Sequence, residues 1–581
     1  MFRRVGVQGS HVPTAGMWNT QFLLESWRKT KAGPSLRLKN GYSQDDGTFF
    51  CRRTKNGRTN SPIIPRPKIG TWGTQVLRWT TILVCIVLFM AGCKSARRDP
   101  HTVVFLIESS PTSLDPRVGT DVQSEHIDEL IFDGLVQRDA SFHFTPALAS
   151  TWDQPDPKTV IFHLRAGVRF HDGRALTSRD VVWTLNSMRN GTVITAKAAS
   201  YASIDTMEAP DERTVILHLK QADNFLLTNL STGAMGIVPE GSGKDFWRKP
   251  VGTGPFRFVS QQIDQDVVVE RNTQSWSAAP KIERVRFAVV PDAITMSLEL
   301  EKGSADVESN AVPMDTLPVL ASRSDLEVMD VPGTQVQYLA FNLRDPLLKD
   351  ARVRQAISCA IDRDLLIRTL MSGHARAAKS LLPTTHWAWN NDGPSFNYDP
   401  ARAEQLLEDA GYKRGKDGVR LHLTMKTSTV EEARLLSSVF QQQLARVGIQ
   451  LEIRSYEFAT FYSDVVRGAF QVYTLRWIGG NEQPDIFSYA FSSARFPPKG
   501  MNRGHYANAQ VDALLADAWQ NSDQEQRRKD YAQAQQILAS ELPAVNLWYR
   551  DTVVVYNKRL KNVQPTPSGS FTFLESAELT Q

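Results

Sequence analysis

Cys93 is the residue whose neighbours best fit a specific reaction. It follows Met90-Ala91-Gly92, and small side chains before it admit a peptidase to the preceding bond while a diacylglyceryl group alkylates the thiol. Other chemistry is missing by pattern. There is no Gly-x-Ser-x-Gly elbow, no His-Glu-x-x-His, no Cys-x-x-Cys and no phosphate-binding loop. Gly252-Thr253-Gly254-Pro255-Phe256 is half a dinucleotide fingerprint, and its proline would spoil a helix start. It reads as a turn with close backbone approach. The body histidines, from His101 to His505, lack ligand spacing, and His163 and His171 read as strand or turn residues. Asp362 and Asp364 read as helix-terminal charges. Neither a catalytic residue nor a metal or cofactor is expected.

The elements that would position a site form a mixed α/β pattern. Thr102 to Ile107 is a buried strand, followed by a helix through Ile127, Leu130, Ile131 and Leu135. Val160 to Leu164 and Val168 to Phe170 flank a turn at Ala166-Gly167, and His171 to Arg174 makes a second turn, a hairpin-rich stretch. Thr214 to Leu219 alternates as a strand. Further on, strands and helices alternate. Asp350 and Asp399-Pro400 open helices, and Cys359 sits on the apolar face of the first. Leu421 to Lys426, Ile449 to Ile453 and Phe470 to Trp477 are strands, with helices at 431–447 and 458–467 between them. Such runs imply a largely parallel sheet, with ligands beyond the carboxyl ends of its strands, where Trp477 lies.

Charge divides the chain. Residues 1–93 hold 14 of the 67 basic and 3 of the 62 acidic residues, a balance of +11, leaving 53 against 59, or −6, for the body. The body therefore has no electrostatic footprint for nucleic acid. Residues 1–75 lack a sustained apolar period and read as disorder or as a leader ahead of the true start. Trp79 to Gly92 is an uncharged, mostly apolar run of 14 residues behind Arg78. That is too short to span a bilayer and right for a secretory signal. Residues 76–93 thus read as a signal peptide whose end resembles a bacterial lipobox, with lipidation at Cys93. Four cysteines exclude a disulfide scaffold, and a single apolar run excludes a polytopic membrane protein.

Many fragments stand in one order along the body. Leu114-Asp115-Pro116, Phe132-Asp133-Gly134-Leu135-Val136 and Pro146 to Trp152 precede the block Phe162 to Gly173. Gly252 to Phe256, Arg271-Asn272 with Trp276, Phe341-Asn342, Val353 to Ile357 and Asn502-Arg503 with Tyr506 follow. In these the body resembles the family-5 extracellular solute-binding proteins, the peptide- and nickel-type receptors of ABC importers. The resemblance implies a two-lobed α/β fold of the periplasmic-binding-protein (type II) kind. Lobe I would comprise 94–136, 249–331 and 543–581, with an inserted domain II at 137–248 and lobe III at 332–542. It also implies a monomeric receptor in the periplasm or at the cell surface, tethered by its lipid, without cofactor. Its partners would be permease and ATPase subunits, with no role in nucleic-acid binding.

Ligand contacts would come from Thr120, Asp121, Val122, Trp477 and the position of Gly480. Peptide receptors of this kind carry Trp-x-x-Asp, the aspartate meeting the peptide's ammonium group, whereas here Gly480 takes its place. Either Asp121 or Glu482 supplies the charge, or the ligand has no free amine there. Peptide is the leading ligand class and a non-peptide solute the second. Two other classes remain open: a sensor feeding a signalling partner, betrayed by a neighbouring histidine kinase gene, and an enzyme, betrayed by turnover. Replacing Cys93 with Ser should abolish palmitate incorporation and leave an unprocessed precursor on a gel.

Overall fold

Alternating apolar residues build one sheet of eleven strands and another of four among the described residues. The structure is a computed structural model and describes residues 99–233, 235–478, 482–497, 499–521 and 523–580. Cys93 and the leader lie outside them, as does Gly480. Within the described residues no helix is long and apolar enough to cross a membrane.

Strand β1 (Thr102–Ile107) leads into helix α1 (Val122–Ile131), then the short pair β2 (Val136–Arg138) and β3 (Phe144–Pro146). Next come β4 (Ala149–Asp156), β5 (Thr159–Leu164), helix α2 (Ser178–Arg189), β6 (Ile204–Asp211) and β7 (Thr214–Leu219). These four strands form a sheet of their own, ordered β4-β5-β7-β6. Its inward face packs on Val181, Leu185 and Met188 of α2. The large sheet takes up β8 (Phe256–Gln262), β9 (Asp266–Arg271), β10 (Arg284–Val289), β11 (Val307–Ser309), β12 (Leu326–Phe341), β13 (Ala375–Ala377), β14 (Leu421–Ser428), β15 (Ile449–Tyr456), β16 (Val472–Trp477) and β17 (Ala544–Asn557). Its order is β15-β14-β16-β12-β17-β11-β1-β10-β9-β8, with β13 beside β17.

Three expectations from sequence need correction. The sheet is mixed rather than largely parallel. Parallel pairing is confined to β1 with its two neighbours and to β14 with its two. The centre is antiparallel because β12 and β17 run through it in opposite directions. The helix containing Ile127 ends at Ile131, since Phe132 turns extended (φ −126°, ψ 152°), so Leu135 is buried without being helical. Val168 to Phe170 makes no hairpin with β5. Both edges of β5 are already taken by β4 and β7, leaving Arg169 only a bridge to Ala175.

Buried cations fix the inserted domain to the rest, among them Arg117 and Lys197, whose Nζ donates to the Pro116 carbonyl at 2.9 Å. Arg117 pairs with Asp115 at 2.8 Å and donates to Ser187 Oγ (3.1 Å) and the carbonyls of Ser242 (2.9 Å) and Gly243 (3.2 Å). Gly252 and Gly254 make the close approach their spacing suggested. A Cβ on Gly252 would lie 1.9 Å from the Ile131 carbonyl, and Gly254 N–H donates to that carbonyl at 2.9 Å. His171 is structural. It accepts from Gly252 N–H through Nδ1 (3.2 Å) and reaches the Gly254 carbonyl through Nε2 (3.0 Å), while burial holds it neutral by pushing its pKa down to about 4.

The two central strands pair in three registers. Leu326–Val331 matches Thr552–Asn557, Gln335–Gln337 matches Trp548–Arg550, and Tyr338–Ala340 matches Ala544–Asn546, with shifts between Val331 and Gln335 and between Gln337 and Tyr338. The first stretch lies beside β11 and the other two beside β16. The chain therefore crosses between the halves of the sheet at 332–334 and again within β17 at 550–552. At the first shift, a Cβ on Gly333 would stand 2.1 Å from the Arg550 carbonyl oxygen. Gly333→Ala should therefore strain both strands and cost about 1–3 kcal/mol of stability, read as a lowered midpoint in chemical denaturation.

Candidate functional site

At the first register shift, midway along β12 and β17, lies a hollow of about 340 Å³, open to solvent and lined by Asn310, Thr334, Gln335, Arg550, Asp551 and Ser568 among others. A larger hollow of about 770 Å³ lies within the C-terminal half, between Arg363, the 390–397 loop and Gln535, and includes the first residues of β17.

Charges from both halves of the sheet meet beside the smaller cavity. Arg138, at the end of β2, pairs with Glu482 at 2.9 Å, and Thr334 Oγ1 donates to Glu482 at 3.4 Å. Next to this pair the Phe142 ring stacks on His386, centroids 5.4 Å apart. Burial keeps that histidine neutral, with its pKa pushed down to about 3. Helix α1 contributes Glu125 and Glu129, four residues apart and on one face. Glu129 accepts from Ser570 Oγ, and burial pushes its pKa up to about 7. Glu125 stands 4.0 Å from Lys197 and is likewise raised by burial.

The residues singled out from sequence have different fates. Trp477 ends β16 and is half-buried, stacked on Tyr338 (5.6 Å, 21°), with the Arg503 guanidinium 5.9 Å from its ring. Asp121 is the N-cap of α1. One carboxylate oxygen accepts from Ser124 N–H at 2.9 Å, and the other from Thr112 N–H at 3.1 Å, the Thr112 hydroxyl and Ser124 Oγ. An acid so occupied is poorly placed to receive a ligand's ammonium group. Thr120 and Val122 are exposed on either side of it. Glu482 is buried and already held by Arg138.

Arg138, Glu129 and Arg550 were not singled out from sequence. For Arg550 a signal existed: Arg550 and Asp551 interrupt the otherwise buried apolar run of β17 from Leu547 to Tyr556. The family-like motifs mostly build framework instead. Asp133 accepts from Thr253 Oγ1 (2.7 Å) and Trp276 Nε1 (2.9 Å), and Asn272 donates to the Gly254 carbonyl (3.1 Å).

Two sheet halves joined through paired central strands, with a polar cavity at their crossing, form the two-lobed α/β fold of a solute-binding receptor. The chain belongs to the bacterial extracellular solute-binding proteins, family 5, whose "family 5 Middle" profile matches residues 143–497. Proteins of this family are non-enzymatic transport receptors that serve ABC permease and ATPase subunits outside the cytoplasm. The chain is 27% identical over 510 residues to the dipeptide-binding protein of Escherichia coli K12, covering 82% of this chain and 95% of the relative. It is similar to Helicobacter pylori DppA solved with the peptide STSA: 25% identity, TM-score 0.64, 83% of this chain and 98% of that one. The fold alone is shared with HbpA2 of Haemophilus parasuis: 24% identity, TM-score 0.74, 83% and 100% covered.

Buried Glu129 makes stability depend on pH. Its folded pKa of about 7 lies above the ordinary 4.5, so its neutral form is favoured on folding. The stability it contributes is whole below about pH 4.5 and is lost as pH rises through about 7. Glu129→Gln should reduce the fall in unfolding free energy between pH 5 and pH 8 by an amount on the order of 2–3 kcal/mol, measured by calorimetry across that range.

Proposed function

We propose that this receptor closes on a peptide, or on a solute carrying a peptide's backbone groups, and hands it to its importer. The observation that carries the reading is the cavity where β12 and β17 connect the two halves, bounded by residues of both. Such a connection suits hinge closure, and closure favours transport only if the closed form binds ligand better than the open one. The named ligands of the Escherichia coli and Helicobacter pylori relatives favour peptide over other solutes.

In this reading lobe I combines β1, β8–β11 and the outer ends of β12 and β17. The sheet of β4–β7 is the inserted domain, and the remainder of the large sheet is lobe III. Trp477 is the aromatic wall of the site. Thr120 and Val122 offer backbone groups and an apolar edge at the start of α1, while Asp121 holds that turn in shape rather than contacting ligand. The position of Gly480 carries no acid. A lipid on Cys93 tethers the monomeric receptor outside the cytoplasm, its signal peptide having been removed.

Mass spectrometry of the solute that co-purifies with the protein should find a peptide. Trp477→Ala should weaken binding of that solute by about 2 kcal/mol in calorimetry and leave the melting temperature nearly unchanged. A lowered melting temperature with unchanged affinity would make Trp477 a core residue instead.

A further inference from the structure

Most charges around the hinge cavity are engaged, and among the described residues Arg550 and its neighbour Glu108 are the exceptions. Glu482 is held by Arg138, and Glu129 by the Ser570 hydroxyl. Glu308 accepts two backbone N–H groups, from Ala311 at 2.8 Å and Val312 at 3.3 Å. Asp551 pairs with Arg376 at 3.0 Å. Arg503, the other arginine near Trp477, donates to the hydroxyls of Tyr338 (3.1 Å) and Tyr462 (2.9 Å). Arg550 lines the cavity, yet among the described residues its guanidinium has neither a hydrogen bond nor an ion pair. Four charged groups face it without bonding it. Arg476 is engaged by Glu432 at 3.5 Å, while Glu108 and Glu308 stand at the ends of β1 and β11.

A half-buried guanidinium is a demanding group to leave unpaired. Its planar fork of donors matches a carboxylate two bonds at a time, and the partly dry surroundings strengthen that pairing. Its place on β17 at the strand crossing means that a ligand bound there touches the element connecting both lobes. We propose that Arg550 receives a carboxylate of the ligand, so that the solute is anchored at its acidic end rather than through an amine. Two observations on the opposite charge support this. Asp121 is consumed as a helix cap, and Glu482 is neutralised by Arg138 before any ligand arrives. The inference deepens the peptide reading by naming the group the site grips, and it applies equally to a non-peptide acid.

The test uses the purified full chain with four probes: a tripeptide mixture, the same mixture N-acetylated, the same mixture as C-terminal amides, and propionate with propionamide as its uncharged control. Calorimetry follows the peptides and thermal shift follows propionate. Acetylation should leave affinity within about twofold, whereas amidation should weaken it at least about tenfold (roughly 1.4 kcal/mol). Arg550→Gln should bind acid and amide alike and lose the stabilisation by propionate. Arg550→Lys, which keeps the charge but not the fork, should retain part of the preference, and circular dichroism checks that each variant folds. If Arg550→Gln does not fold, the acid-against-amide comparison in the unaltered protein and in Arg550→Lys decides. Amides binding as tightly as acids, or Arg550→Gln keeping its response to propionate, overturns the proposal. Failure of every tripeptide form to bind, with propionate still acting through Arg550, removes the peptide reading and leaves the carboxylate anchor standing.

Discussion

The approach of β12 to β17 at Gly333 is the constraint on which the rest of the structure depends. The two strands leave the register they keep beside β11 within residues 332–334, and a second shift follows between Gln337 and Tyr338. A side chain there would collide with the Arg550 backbone, so the crossing requires a residue without Cβ. Because the sheet runs on through this break, the two halves share a continuous ladder while each keeps its own core. Phe341, Ile357, Phe440 and Trp548 belong to one core, and Phe105, Phe132, Phe287 and Val554 to the other. The cavity lies at this irregularity.

Buried charge is placed where segments distant in sequence must meet. Arg117 and Asp115, almost wholly inaccessible, tie the loop after β1 to the inserted domain. Asp306 accepts from both Arg559 nitrogens (2.6 and 2.7 Å) and from Val104 N–H (2.8 Å), joining β1, the start of β11 and the end of β17. Breaking such a pair leaves an uncompensated buried charge and costs several kcal/mol, whereas an intact one contributes more to fixing the arrangement than to net stability. The Arg138–Glu482 pair differs in kind, since its members come from the two sides of the cleft. It leaves Glu482 little negative field to offer a ligand.

Most repeating elements were legible in the sequence because their causes are local. The β1 strand, the helices capped by Asp350 and Asp399, and the strand–helix alternation from Leu421 to Trp477 occur where periodicity and capping residues put them, to within a few residues. Expectations failed where a non-local partner decided the outcome. Val168 to Phe170 had a hairpin's turn signals, but both edges of β5 were occupied by strands from elsewhere in the inserted domain. The parallel character was overstated because β12 and β17 lie 203 residues apart at their nearest ends, and pairing over that separation leaves no periodic trace.

By itself the sequence determined the family, the α/β class, the non-catalytic character and the aromatic at the end of β16, since ordered motifs and side-chain period are properties of the chain read in line. The tertiary structure alone decided which charges are free. Asp121 looked available until Ser124 and Thr112 were found on its carboxylate, and Glu482 until Arg138 reached it from 344 residues away. Arg550 is a strand arginine like many others until the crossing places it against a cavity without a partner. Whether a charge is satisfied depends on distances of a few ångströms between segments that only folding brings together, and no local pattern encodes it.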